Sequence, residues 1–99
     1  MATDLEIDYD IQLLTNEIEK QEKRFKLILF NDDYHSMGAV VKQLIRALQC
    51  TSAQAMVFMK EAHHTGSSVV KVGGEEECKK ARRILEEIDL ATDLVEESA

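Results

Sequence analysis

Positions 25 to 30 read Phe-Lys-Leu-Ile-Leu-Phe, a short apolar run that predicts a buried strand. Further on, Val40, Val41, Leu44, Ile45 and Leu48 recur at three- and four-residue spacing, which predicts a helix over 37–48. Cys50-Thr51 interrupts it. Thr51 followed by Gln54 has the spacing of a capping box, so a second helix is expected from 51 or 52 to about 62, burying Ala55, Met56, Met59 and Phe58. Gly66 ends that region. The β-branched Val69, Val70 and Val72 predict a second strand, and Gly73-Gly74 turns the chain. A third helix is expected over about 75–88, with Cys78, Ala81, Leu85 and Ile88 as its apolar stripe and Glu75, Glu76 and Glu77 at its electropositive start. A last short strand falls near 91–95. The resulting order, βααβαβ, predicts an α+β fold in which a small three-stranded sheet packs against three helices on one face.

The first 23 residues pattern differently. Leu5, Ile7, Tyr9, Ile11 and Leu13 alternate with polar residues at strand period, while Ile11, Leu14 and Ile18 also fit a helix. Two units are therefore expected: an acidic, partly flexible arm over 1–23 and a core domain over 24–97. Charge separates them. The arm carries seven acids against two bases, net −5, and the rest carries twelve acids against ten bases, net −2. With no basic footprint, nucleic acid is not expected as a partner. No apolar run approaches the roughly 20 residues that cross a bilayer, and no secretory signal pattern is visible. Cys50 and Cys78 lie far apart without CxxC spacing, which argues against structural zinc and fits intracellular thiols.

The candidate chemistry stands directly after the first strand. Asn31, Asp32 and Asp33 place three hydrogen-bonding groups, two of them anionic, at the end of a rigid element, as recognition of a small cation would need. Such a trio also serves as an ordinary turn, through side-chain bonds to its own backbone. His63, in Glu61-Ala62-His63-His64-Thr65-Gly66, would add an imidazole acceptor; taken alone it reads more readily as a helix-end histidine that caps carbonyls or faces water. A metal site drawing on Asp32, Asp33, His35, His63 or His64 is the less favoured alternative, because no HxxxH or HExxH spacing occurs. A cysteine hydrolase is less favoured still, since neither cysteine has a nucleophile context.

The run Asn31-Asp32-Asp33-Tyr34-His35-Ser36-Met37, followed by Met59, Glu61-Ala62-His63 and Gly66, resembles the ClpS family of Clp protease adaptors over about residues 24–96. The C-terminal domain of the ribosomal stalk protein shares the element order, so the fold alone does not decide function. The resemblance implies an adaptor, not an enzyme. It would bind the free N-terminus of proteins beginning with Leu, Phe, Tyr or Trp and deliver them to a Clp AAA+ ATPase of the ClpA or ClpC type. Carried over by position, Asn31, Asp32 and His63 would hold the substrate's α-amino group, and Asp33 and His35 would support them. Met37, Val40, Met59, Ala62 and Leu90 would wall a hydrophobic pocket. Glu76, with Lys79 or Lys80, would dock the ATPase. No cofactor or metal is implied; a cytoplasmic monomer that does not contact membranes is expected.

The sequence departs from the pattern in three places. Ser36 stands where many members carry proline, which predicts a looser loop before the first helix. The third helix starts with a different arrangement of acidic and basic residues. The alternating pattern of the arm is also unusual for this family. The competing functional reading is an interaction module of the same fold that grips a partner through helix faces and does not read N-termini. Peptides differing only in their first residue would separate the two.

Overall fold

The computed structural model describes residues 23–97. The expectations for the arm, apart from Lys23, lie outside these. Six elements follow in order: β1 (Arg24–Phe30), α1 (Met37–Leu48), α2 (Ser52–Thr65), β2 (Ser67–Gly73), α3 (Glu75–Glu86) and β3 (Thr92–Glu97). This is the expected βααβαβ order. β1 is the central strand, with β2 and β3 on either side, both antiparallel to it.

The central position follows from the sequence of β1. Leu27 and Leu29 alternate onto one face and are fully buried, together with Leu44 of α1, and Cys78 and Leu85 of α3. The opposite face carries Phe30, Val69, Val72 and Val95, all of them exposed. A bulge splits the valines of β2. Leu27 pairs with Lys71 and Ile28 with Val69, which leaves Val70 as the extra residue. Strict alternation would send Val70 and Val72 to the same side. The bulge lets Val70 enter the core and turns Val72 outward. Ser68, opposite Leu29, is buried, and its hydroxyl has no hydrogen-bond partner among the described residues.

The helix ends are chemically specified. Ser36 caps α1, its Oγ accepting from the Ala39 amide at 3.1 Å. Thr51 and Gln54 form both halves of the expected capping box. α2 runs on to Thr65, past the expected end near 62, because nothing stops it before Gly66. That glycine takes a left-handed conformation (φ 96°), which costs a residue without Cβ little. α3 instead stops at Glu86, short of Ile88. Asp89 turns left-handed (φ 60°), and the Leu90 amide returns to the Leu85 carbonyl. Met56, expected in the core, is exposed. Ala55, Met59 and Ala62 share the buried face of α2, while Met56 lies about 100° around the helix from Ala55. No helix among the described residues is long and apolar enough to cross a membrane.

Candidate functional site

β1 ends at Phe30, and the chain leaves the sheet through a polar turn tied at both ends. The turn runs over the six residues 31–36: at its near end, the Asn31 amide donates to the Gly66 carbonyl at 3.0 Å, one step past the β1–β2 ladder. Gly66 caps the helix that carries His63, so this one bond draws the end of β1 to the end of α2. The Phe30 amide donates to Ala91 at 3.0 Å and fixes the strand end from the other side. At the far end stands the Ser36 cap. The loop predicted to be looser without proline is thus pinned by a helix cap in proline's place.

Inside the turn, Asp32 organises the backbone. Its Oδ1 accepts from the Tyr34 amide at 2.7 Å and from the His35 amide at 3.3 Å, the side-chain-to-backbone pattern of an Asx turn. Its Oδ2 lies against Nδ1 of His35. Burial pushes the Asp32 carboxyl up. The hydrogen bonds from the Tyr34 amide and from His35 outweigh it and hold the group below the usual carboxylate range. Asn31 Nδ2 donates to Asp33 Oδ1 at 3.3 Å, so Asp33 orients the asparagine amide. Tyr34 projects into solvent, 97% exposed.

A cleft of about 40 Å³ opens beside this turn. Asn31, Asp32, His35 and His63 form its polar end, and Leu29, Phe30, Met37, Val40, Met59 and Ala62 form the rest. Its floor belongs to the core: Leu29, Val40, Met59 and Ala62 are buried. Its mouth is Met37, 59% exposed. The turn after β1 and the last turns of α2 thus bring Asn31, Asp32 and His63 to one place. Leu90 does not join them. The turn after α3 buries it in the core, and it does not line the cleft. Leu29 and Phe30 line the cleft although the sequence marked them only as strand. Their signal was adjacency, since residues preceding Asn31 must border whatever Asn31 borders.

The arrangement offers acceptors at one end and an apolar slot at the other, which suits an ammonium group attached to a hydrophobic side chain. Among the described residues no three His, Cys, Asp or Glu side chains converge. The rings of His63 and His64 lie edge to face, 5.5 Å apart. The Cys78 thiol is not an activated one. Cys78 is buried, and burial pushes its thiol up; Lys71 opposes this and Glu77 adds to it. Its Sγ donates to the Phe25 carbonyl at 3.6 Å.

The residues expected to dock an ATPase lie elsewhere. Glu76 and Lys80 are exposed on the first turns of α3, and Lys79 pairs with Glu75 at 3.3 Å. Glu76 borders a wider concavity of about 720 Å³, which Lys23, Arg24, Phe25, Gly73, Gly74, Glu75 and Glu77 also line. That is the opposite end of β1 from Asn31, about 20 Å away for a seven-residue strand.

Residues 20–92 match the family described as ATP-dependent Clp protease adaptor protein ClpS. The ClpS adapter of Acetivibrio thermocellus is 43% identical over 58 residues, covering 59% of each chain. That of Oleidesulfovibrio alaskensis is 40% identical over 63 residues, covering 64% of this chain and 61% of that one. The human E3 ubiquitin-protein ligase UBR1 is 33% identical over 66 residues, covering 67% of this chain but 4% of the ligase. The chain therefore spans about three fifths of the two bacterial adapters and a small fraction of the ligase. Agrobacterium tumefaciens ClpS2, solved bound to L-phenylalaninamide, has the same fold, with a TM-score of 0.72 at 23% identity over 78% of this chain and all of that one. The match over 20–92 takes in the whole of the cleft and the three elements, β1, α1 and α2, that build it, and the chain belongs to the ClpS family.

Proposed function

We propose that this chain reads the first residue of other proteins and hands those proteins to a Clp ATPase of the ClpA or ClpC type. The observation that carries the reading is the meeting of Asn31, Asp32 and His63 at the polar end of an apolar-floored cleft. A free α-amino group, with a pKa near 8, is mostly charged at neutral pH. It can donate three hydrogen bonds, and charge-assisted bonds are stronger than neutral ones. The first side chain would enter between Met37, Val40, Met59 and Ala62. Burying Leu or Phe there contributes about 1.5–3 kcal/mol. Internal residues lack the amine, and small residues leave the slot empty, so the two contributions together discriminate.

The size of the cleft adds a requirement. A cavity of about 150 Å³ accommodates benzene, whereas this one measures about 40 Å³. An aromatic first residue therefore needs the mouth widened. Met37 and Met59, unbranched and with three rotatable bonds each, can supply that adjustment without moving the backbone. Agrobacterium ClpS2 was solved with a compound carrying a free α-amine and a phenyl group, in keeping with such a slot. Delivery would use the separate surface at the start of α3, through Glu76 with Lys79 or Lys80. Adaptor and ATPase would meet in the cytoplasm, and the chain would act as a monomer without catalysis or cofactor of its own.

Titration with fluorescent peptides differing only at residue one tests this. Leu-, Phe-, Tyr- and Trp-initiated peptides should bind with micromolar or better affinity, about −8 kcal/mol. Ala- and Ser-initiated controls should bind far more weakly. An acetylated Phe-peptide that bound as tightly as the free one would overturn the reading and leave a helix-face interaction module in its place.

A further inference from the structure

We propose that His35 is the positioning residue of the amine site: its Nδ1 holds Oδ2 of Asp32 and so aims the carboxylate at the substrate's ammonium. This rests on the reading of the cleft given above. Asp32 has two oxygens with unequal tasks. Oδ1 is taken by two backbone amides, those of Tyr34 and His35, and shapes the turn. Only Oδ2 remains to serve a ligand, and His35 is the group beside it. A carboxylate accepts about four hydrogen bonds. The loop uses three, and the fourth position, on Oδ2, is open to the cleft that Asp32 and His35 both line.

The carboxylate is planar, so both oxygens turn together about the Cβ–Cγ bond. The two amides on Oδ1 and the imidazole on Oδ2 oppose that rotation from opposite sides. Without the donor on Oδ2 only the amide side of the clamp remains. Ionised Asp32 only accepts, so the proton of this contact belongs to Nδ1 of His35, and in the neutral ring Nε2 is left as an acceptor. The contact is well placed to matter, since the Asp32 side chain is 10% exposed and that of His35 29%. Little water is at hand to replace the imidazole. The logic is that of an orienting partner behind a ligand-binding group, whose loss typically weakens a site by about tenfold or more.

Three variants separate positioning from direct contact and from mere folding. In His35→Asn the amide nitrogen can take the place of Nδ1. In His35→Gln it reaches the place of Nε2, and His35→Ala has neither. Affinities for Phe- and Leu-initiated peptides would be measured by anisotropy at 25 °C, with a thermal melt for each protein to show that it is folded at that temperature. His35→Ala should weaken both peptides by the same factor, about tenfold, because the carboxylate serves the amine and not the side chain. His35→Asn should recover most of the loss, and His35→Gln should not. An His35→Ala protein binding like wild type, or rescue by Gln in place of Asn, would overturn the proposal. So would an Asn variant no better than Ala. If wild type itself fails to distinguish a free from an acetylated Phe-peptide, the reading of the cleft falls and this one with it. Wild-type discrimination with unaffected His35 variants removes only the role of His35.

Discussion

The floor and the rim of the cleft are built on opposite terms. Leu29, Val40, Met59 and Ala62 face the cleft from inside the hydrophobic core, and all four are held by packing between β1, α1 and α2. Asn31, Asp32 and His35 stand on a six-residue turn, held by short-range hydrogen bonds to its backbone and among its side chains, and His63 stands exposed at a helix end. The floor is therefore paid for by the fold, whereas the rim is tuned locally. Substitutions should divide accordingly. A change in the floor should cost stability and binding together, and a change at Asn31 or His63 in the rim should cost binding alone.

The largest effect belongs to the floor. Leu29, 1% exposed, packs with Leu27, Leu44 and Val40. Leu29→Ala should destabilise the protein by about 2–5 kcal/mol through lost burial and the cavity left behind. Against a net stability of about 5–15 kcal/mol, that is a large fraction. Urea unfolding followed by circular dichroism measures it, and a loss below 1 kcal/mol would mean that the floor is not part of the core. Peptide binding should fall with it even where the variant is folded, because the cleft would lose its shape.

The rim should give the converse result. Asn31 and His63 are exposed, and neither packs in the core. Asn31→Ala and His63→Ala should each weaken binding of a Phe-initiated peptide by about tenfold to a hundredfold, corresponding to about 1.5–3 kcal/mol for a hydrogen bond to a charged group. Their unfolding midpoints should stay within about 0.5 kcal/mol of wild type. If either variant lost stability and affinity in parallel, the division between floor and rim would fail at that residue.

The two regions also differed in how far the sequence disclosed them. The element order was legible because each helix and strand carries its own period, and the N-cap of α2 announced itself in Thr51 and Gln54, whereas the Ser36 cap went unread. The rim was legible because it is contiguous: Asn31 to Met37 is one run, and only His63 had to be brought from elsewhere. The floor was harder. Val40 and Met59 follow from helix periodicity and Ala62 came only with the family resemblance, but Leu29 and Phe30 looked like any strand residues. Leu90 was misplaced because its position depends on the left-handed Asp89 and the return of the Leu90 amide to Leu85, which no local pattern reveals. The bulge at Val70 was invisible for a similar reason. Whether a valine run alternates or slips is decided by the partner strand. The contact between His35 and Asp32 lay in the three-residue spacing, yet only the turn shows which oxygen the imidazole meets.

Asp32 is where the rim carries stability as well. Its hydrogen bonds hold its carboxyl below the usual range in the folded chain. In the unfolded chain it returns to about 3.9. The unfolded state then binds the proton more readily, so acid favours unfolding. The stabilisation from Asp32 is fully present above pH 4 and is lost as the pH falls through the lower, folded value. Asp32→Asn should be less stable than wild type at pH 7, and its melting temperature should fall less steeply between pH 5 and 2. Parallel curves for the two proteins would show that Asp32 is not held by the turn.

Met37 belongs to neither region cleanly, and the smallest effect is expected there. It lines the cleft, yet it is 59% exposed at the first position of α1. Met37→Ala should leave stability within about 0.5 kcal/mol of wild type, as for other surface changes. Its effect should appear in selectivity. Ile and Val branch at Cβ, next to the backbone, so their bulk sits at the mouth of the cleft while that of Leu lies deeper. A thioether across a mouth of this size opposes the first pair more than Leu. Removing it should raise the affinity of Ile- and Val-initiated peptides relative to Leu by severalfold, about 1 kcal/mol. Competition against one labelled Leu-peptide reads the ratio directly, without comparing absolute affinities between proteins. A uniform weakening of all three would place Met37 with the floor, as apolar surface without a gating role; an unchanged ratio with unchanged affinity would place it outside the site.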